Sequence, residues 1–367
     1  MLDRATAVRA GEELDTGALT AYLAEHLPGF TGGLEVLQFP AGYSNLTYLL
    51  RARFDDGERE MVLRRPPFGS KVRSAHDMGR EHRVLSALSE VWDKAPEPIL
   101  HCPDPEVLGA PFYLMERVEG VILRARPPAG VELDPPTMAG LSRSFVATLA
   151  ELHGLDPRAA GLADLGRPEG YVGRQVHGWS ERYRAAKTDE VPDVETAAAW
   201  LAERVEAHEA GRASLIHNDF KYDNLVLDPG DPTRVRAVLD WEMATLGDPL
   251  MDLGSSLAYW IDPDDPEELR SPAVPHLTAL PGNLRRGELF TAYLEAAGIP
   301  EEAAGDPVFY FAYGQLKLAG IVQQIYSRYR QGATADPRFA ALGALVRACG
   351  RAARLAIEKN RIDRLRD

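Results

Sequence analysis

Apolar and polar positions along the chain follow two different periods. Over Leu34 to Phe39, Leu46 to Phe54 and Glu60 to Arg64 they alternate, the two-residue period of half-buried strands. Asp55-Asp56-Gly57 separates the last two runs and is a hairpin signal, so the spacing predicts a three-stranded meander. A helix capped by Asp15 or Thr16 precedes it, carrying Leu19, Tyr22, Leu23 and Leu27 and stopped by Pro28-Gly29. Helical spacing over Ser74 to Val91 runs through His82, Val84, Leu85 and Leu88, and Pro111 to Gly120 reads as a buried strand leading into a turn. Beyond Asp134 the period becomes helical, with Met138, Leu141, Phe145, Leu149 and Leu152 on one face. Further helices are expected from Gly170 through Tyr183, and over Ala197 to Ala210, Asp248 to Trp260, Gly282 to Ala297, Asp306 to Arg330 and Pro337 to Lys359.

One stretch among these helices follows neither period. Leu215-Ile216 lead into His217-Asn218-Asp219-Phe220-Lys221-Tyr222-Asp223-Asn224, and Leu225-Val226-Leu227 and the turn Asp228-Pro229-Gly230-Asp231-Pro232 follow. Ala237-Val238-Leu239 then lead to Asp240-Trp241-Glu242. Short apolar runs bounded by turn residues read as strands, so the polar residues stand at strand ends. The first cluster is H-x-D-x-x-x-x-N, the order in which phosphoryl-transfer loops offer a carboxylate to an acceptor hydroxyl and, five residues on, an amide oxygen to Mg²⁺. Asp240 adds a second hard oxygen ligand. Phosphoryl transfer asks mainly for positioning and charge neutralisation, which Asp219, Asn224 and Asp240 can supply. Either cluster alone also fits a plain polar loop or a strand-ending aspartate; their nested order is what points to chemistry.

At these residues the chain resembles the aminoglycoside phosphotransferase and choline kinase branch of the kinase-like superfamily. The run D-W-E-x-x-x-x-G-D-P-x-x-D-L from Asp240 to Leu253 is particularly similar, whereas the D-F-G and A-P-E of protein kinases are missing. The resemblance implies a two-lobed α+β protein-kinase-like fold, with a small antiparallel-sheet lobe over 1–117 and a larger, mainly helical lobe over 118–367, and an ATP cleft between them. It implies that Gly42, Ser44 and Asn45 belong to the loop over the nucleotide phosphates, although a single glycine departs from G-x-G-x-x-G. Arg64 occupies the position of the phosphate-binding lysine and Glu81 that of its helical partner; a solvated strand-end arginine and an exposed helical glutamate are the plainer alternatives. Backbone groups of Glu116 and Val118 are implied to meet the adenine edge, with Met115 behind it. Asp219 is the implied acceptor-orienting residue, Lys221 neutralises the migrating phosphoryl, and Asn224 and Asp240 hold Mg²⁺. His153 reads as a capping or packing histidine, the helices after Gly170 as walls of the acceptor pocket, and the aromatic stripe over Phe309 to Tyr313 as core.

Phe309 to Lys317, together with Arg174-Gln175-Val176 and Met61 to Pro67, looks most like the subgroup found alone in bacteria and fused to acyl-CoA dehydrogenases in animals. The resemblance covers about Leu34 to Tyr329, and that subgroup is linked to phosphorylation of hydroxyacyl-CoA. The implied reaction is ATP- and Mg²⁺-dependent O-phosphorylation of a hydroxylated small molecule. An aminoglycoside-modifying kinase, a protein kinase and a nucleotide-binding pseudokinase that regulates a partner are the alternatives, the last opposed by the intact Asp219, Asn224 and Asp240.

Composition narrows the partners. With 41 basic and 55 acidic residues the net charge is −14, which argues against binding nucleic acid or an anionic membrane and weakly favours cationic substrates. Lys71, Arg73, Arg124, Arg126 and Arg174 are nevertheless candidates to meet an anionic acceptor, each equally at home on a solvated surface. Cys102 and Cys349 are the only cysteines, too few for a disulfide framework or a cysteine-rich zinc site, and no signal-like or membrane-spanning apolar run occurs. A cytoplasmic protein is expected.

Overall fold

The alternation of the first third closes into a single antiparallel sheet. The computed structural model describes residues 5–39, 45–68, 77–124, 130–209, 211–270, 276–332 and 337–366. Helix α1 (Thr16–His26), N-capped by the side chain of Asp15, leads into β1 (Phe30–Gln38), β2 (Leu46–Phe54) and β3 (Gly57–Arg65). β2 and β3 pair without a register break from Phe54 opposite Gly57 to Leu46 opposite Arg65, so the turn at Asp55-Asp56 fixes where every later side chain points. After α2 (Met78–Ser89) come β4 (Pro98–Cys102), the short α3 (Pro105–Leu108) and β5 (Phe112–Glu116), and the strand order is β1-β2-β3-β5-β4. The expected meander is thus the core of a five-stranded sheet. β4 escapes the sequence pattern because prolines punctuate it, as suits an edge strand.

The two-residue period sorts this sheet into two faces. Met61, Leu63, Phe112 and Leu114 pack with Leu19 and Leu23 of α1, while Val62, Tyr113 and Met115 join Val84, Leu85 and Leu88 of α2 in the core that continues into the helical region. Arg64, two residues after Val62, therefore faces α2 and the other lobe.

The helical region comprises α4 (Pro135–Gly154), α5 (Tyr171–Ala185), α6 (Pro192–Ala202), α7 (Val205–His208), α8 (Pro249–Ala258), α9 (Arg286–Ala297), α10 (Glu301–Ala304), α11 (Pro307–Arg330) and α12 (Leu342–Lys359). Between α7 and α8 lie four short strands, β6 (Ser214–Ile216), β7 (Leu225–Leu227), β8 (Val235–Val238) and β9 (Thr245–Gly247), paired β6 with β9 and β7 with β8. The helix expected over Ala197 to Ala210 is corrected to α6 and α7: Pro192 opens α6 at its first turn, and the chain leaves the helix after Ala202 before winding again at Val205. The Phe309 to Tyr313 stripe is buried inside α11, as core. Among the described residues no helix is long and apolar enough to cross a membrane.

α11 crosses α8 with backbone against backbone. A Cβ on Gly314 would fall inside the van der Waals radius of the Gly254 carbonyl oxygen, and one on Gly254 would collide with the carbonyl of Tyr310. Because the obstructing atoms are backbone, no rotamer change relieves the clash. Gly314→Ala is therefore expected to destabilise the fold by about 3 kcal/mol, read from urea unfolding; an unchanged midpoint would mean that the two helices can separate.

Candidate active site

The two short ladders fix both ends of the polar loop. β6 is held in register with β9, Ile216 opposite Thr245, and β7 with β8, Leu225 opposite Val238, so residues 217–224 are strung between two anchored strands. The backbone N–H groups of His217 and Asn218 both donate to the fully buried carboxylate of Asp252 on α8, at 2.7 Å each. Asn218 adopts a positive φ of 67°, which reverses the chain so that Asp219 leaves the buried layer. His217 Nε2 faces the Leu239 carbonyl at 2.9 Å and its Nδ1 accepts the Asp219 N–H at 3.2 Å, which assigns the proton to Nε2. Burial lowers the pKa of His217, in keeping with that neutral tautomer.

Asp219 then meets Lys221 and Asn224. Lys221 Nζ donates to both carboxylate oxygens, at 2.8 and 3.0 Å, and Asn224 Nδ2 donates to the Asp219 carbonyl at 2.8 Å and to the carboxylate at 3.1 Å. Burial opposes the charge on Lys221, but Asp219 outweighs it and the pKa stays well above the ordinary lysine value. The same ammonium lies 4.8 Å from the ring centre of Tyr259.

One guanidinium ties three segments together. Arg64 donates through Nη1 to Glu81 at 2.8 Å and through Nη2 to Asp240 at 2.9 Å, while the Trp241 N–H donates to the same Glu81 oxygen at 3.2 Å. Asp240 itself has a φ of 71°. Burial works against the charges on both carboxylates; at Asp240 the Arg64 charge prevails and the pKa is lowered, whereas at Glu81 desolvation prevails and the pKa is raised. Asn45 reaches over from the sheet to donate to Glu242 at 2.7 Å. The Leu239 N–H donates to the Asn224 carbonyl at 2.8 Å, so the stretches carrying Asn224 and Asp240 are bonded side by side. Asn224 holds Asp219 with its amide nitrogen, which leaves the amide oxygen, the atom a hard cation needs, outside that bond. The oxygen donors of Asn224 and Asp240 thus fit Mg²⁺.

The structure brings Asp219, Lys221 and Asn224 together in one hydrogen-bonded group and Arg64, Glu81 and Asp240 in a second, with Asn45 joined to Glu242 beside it. Gly42 and Ser44, like Lys71, Arg73 and Arg126, lie outside the described residues. At the end of β5 the Glu116 N–H donates to the Glu97 carbonyl at 2.8 Å, and half-buried Val118 follows two residues on. Arg174 is corrected as well: its guanidinium donates to the carbonyls of Arg167 and Glu169, so it serves the fold at the start of α5. His153 bridges Asp252 and the Tyr293 hydroxyl, a packing role. Sequence reasoning gave no role to Glu242, Asp252, Asn218 or Lys317. Asp252 had a signal in its place within G-D-P-x-x-D-L; Lys317, almost a hundred residues from the loop, had none.

A small lobe built on a five-stranded antiparallel sheet, a larger helical lobe, the bonded group around Asp219 and the Arg64 link from Glu81 to Asp240 define a protein of the kinase-like class. The profile of the phosphotransferase enzyme family matches residues 35–274, and the chain belongs to that family; it is a phosphotransferase acting on a hydroxyl group. It is 37% identical over 330 residues to acyl-CoA dehydrogenase family member 11 of Gallus gallus, an alignment that takes in 89% of this chain but 41% of that protein. A solved structure from Ralstonia eutropha, provisionally described as an aminoglycoside phosphotransferase, superposes with a TM-score of 0.77 at 30% identity, over 95% of this chain and 99% of that one. The GDP complex of aminoglycoside 2'-phosphotransferase-IIIa shares the fold, with a TM-score of 0.58 at 16% identity over 91% and 98% of the two chains.

Arg64 bridges Glu81 and Asp240. Arg64→Met leaves both carboxylates facing each other in low dielectric, and a loss of about 3 kcal/mol is expected in urea unfolding. Arg64→Lys is expected to lose less, because an ammonium keeps the charge without the fork. Equal stability of wild type and Arg64→Met would show that the pair adds nothing to the fold.

Proposed function

We infer that this protein transfers the γ-phosphoryl group of ATP to the hydroxyl of a small metabolite, with Asp219 as the residue that orients that hydroxyl and takes its proton. The observation that carries this reading is the carboxylate of Asp219, held by Lys221 and Asn224 at the end of a backbone pinned by Asp252 and His217. Its oxygens are fixed before substrate arrives, so little reorganisation is left for the reaction itself. The acceptor oxygen attacks the γ-phosphorus in line, the bond from that phosphorus to the β,γ-bridging oxygen breaks, ADP leaves, and the hydroxyl proton passes to Asp219. Lys221 offsets negative charge on the group in transit. Mg²⁺ bound by Asn224 and Asp240 would neutralise the phosphate oxygens. Arg64 keeps Asp240 ionised, and Asn45, Gly42 and Ser44 belong to the loop over the phosphates. The base is a purine held at the Glu116 carbonyl and Val118; the neighbour solved with GDP supports a nucleotide there, and adenine remains our assignment.

For the acceptor we favour a hydroxyacyl-CoA or a similar anionic hydroxylated metabolite. The motif likeness to the acyl-CoA dehydrogenase-linked subgroup and the 37% identity to a protein of that name support it, while the net charge of −14 and the Ralstonia neighbour favour an aminoglycoside. Net charge is a poor guide to one pocket: burial raises the pKa of Asp223, and Lys221 and then Arg124 stand close enough to work against that rise.

Asp219→Ala is expected to lower kcat at least a thousandfold while ATP affinity stays within a few-fold, as read by steady-state kinetics and calorimetric titration. Retention of most of kcat would remove Asp219 from the chemistry. Coupled ADP-release assays with a panel of hydroxyacyl-CoA thioesters and a panel of aminoglycosides test the acceptor: turnover of thioesters alone is expected, and turnover of aminoglycosides alone would sink the assignment.

A further inference from the structure

Lys317 is a charged residue in the interior of the helical lobe, 3% exposed, in the middle of the 24-residue helix α11. Its ammonium donates to the Asn218 carbonyl at 2.6 Å, to Asn218 Oδ1 at 3.1 Å and to Ser255 Oγ at 3.1 Å. Ser255 uses its own proton toward the Met251 carbonyl, so it receives from Lys317 on a lone pair. Three acceptors meet three protons. A neutral amine has two, so it would drop one bond and turn a lone pair toward an oxygen.

The acceptor side of this cluster is the residue between His217 and Asp219. Every polar group of Asn218 is engaged: its N–H donates to Asp252, its Nδ2 to the Met243 carbonyl at 3.1 Å, its Oδ1 accepts from Tyr171 at 3.2 Å and from Lys317, and its carbonyl accepts from Lys317. The left-handed conformation of Asn218 is thereby clamped from α5, α8 and α11 at once. The backbone crossing at Gly254 and Gly314 explains how a lysine reaches so deep, since Ser255 adjoins one glycine and Lys317 lies one helical turn from the other.

We propose that Lys317 is a positioning residue for phosphoryl transfer: its ammonium holds the left-handed turn at Asn218, and that turn aims the carboxylate of Asp219 at the acceptor. This rests on the role inferred for Asp219. The bonds of Lys317 go to Asn218 and Ser255, so it acts on Asp219 through Asn218. Burying its charge is costly, and Asp252 and Asp219 offset that cost while Lys221 adds to it; burial prevails and pushes the lysine down to about 8. The titratable groups facing it are Asp252 from α8, Asp219 and Lys221 from the loop, Tyr171 from α5 and Tyr313 from its own helix. Above that pH the third proton is lost and the clamp on Asn218 loosens, so the rate acquires a descending limb on the alkaline side.

The chain has six lysines, few enough for Lys317 to be resolved by ¹³Cε-lysine NMR, its signal assigned by its loss in Lys317→Met. Slow hydrolysis of Mg·ATP, with water as acceptor, serves as the assay, alongside hydrogen exchange over residues 217–220. Lys317→Met is expected to lower kcat at least tenfold with KM for ATP within twofold, to speed exchange over 217–220, and to abolish a descending limb that in the wild type coincides with the NMR titration of Lys317. Ser255→Ala, a milder change that removes one acceptor, is expected to lower kcat a few-fold and keeps the test open should the methionine variant fail to fold. Unchanged rate and exchange in a folded Lys317→Met overturn the proposal, as does a rate loss matched by an equal loss of ATP binding, which would make Lys317 a packing residue. If the wild type neither hydrolyses ATP nor transfers phosphate, the phosphotransfer reading falls, while the exchange measurement still decides whether Lys317 holds the loop.

Discussion

The carboxylate of Asp252, wholly withdrawn from water, governs the candidate site. An ionised carboxylate in that position is tolerable only with several donors, and it has them: two successive backbone N–H groups from the loop and the imidazole of His153. Burial pushes its pKa up, but His153, with His217 and Lys317 nearby, outweighs burial and holds it below the ordinary value. The requirement acts in both directions, since the loop backbone could not turn inward at His217 and Asn218 without an acceptor there. α8 and the reactive loop are therefore one unit, and β6 with β9 completes it.

Strain is concentrated where the chemistry is expected. Among the described residues four non-glycine positions have positive φ, and two of them are Asn218, immediately before Asp219, and Asp240, which Arg64 holds. Such conformations cost of order 1 kcal/mol or more and persist only where the surroundings over-determine them. At Asn218 the surroundings are three helices; at Asp240 they are Arg64 and the Glu81 bond to the next residue's N–H. Arg64 also couples the sheet and α2 to the segment after β8, because it binds Glu81 and Asp240 at once.

Much of this was legible in the chain. The hairpin signal at Asp55-Asp56-Gly57, the cap at Asp15 or Thr16 and the helical stripe from Met138 to Leu152 placed elements within a few residues, because each depends on contacts local in sequence. The edge strand β4 and the break between α6 and α7 were not legible, since neither follows the local apolar period. Asp219, Asn224 and Asp240 stood out because their spacing along one loop is itself the chemistry.

By itself the sequence determined the class of the site: which carboxylates, which amide and which cations were candidates, and on which short strands they sat. Only the tertiary structure decided what those groups do to one another. It gave Arg64 two carboxylates, withdrew Arg174 to the backbone carbonyls of its own segment, and seated Lys317 beneath Asn218 from 99 residues away. The physical reason is that spacing along a chain fixes which side chains share a face over a few residues, whereas the partner of a buried charge is set by helix crossings such as Gly254 against Gly314, which join segments no local period connects.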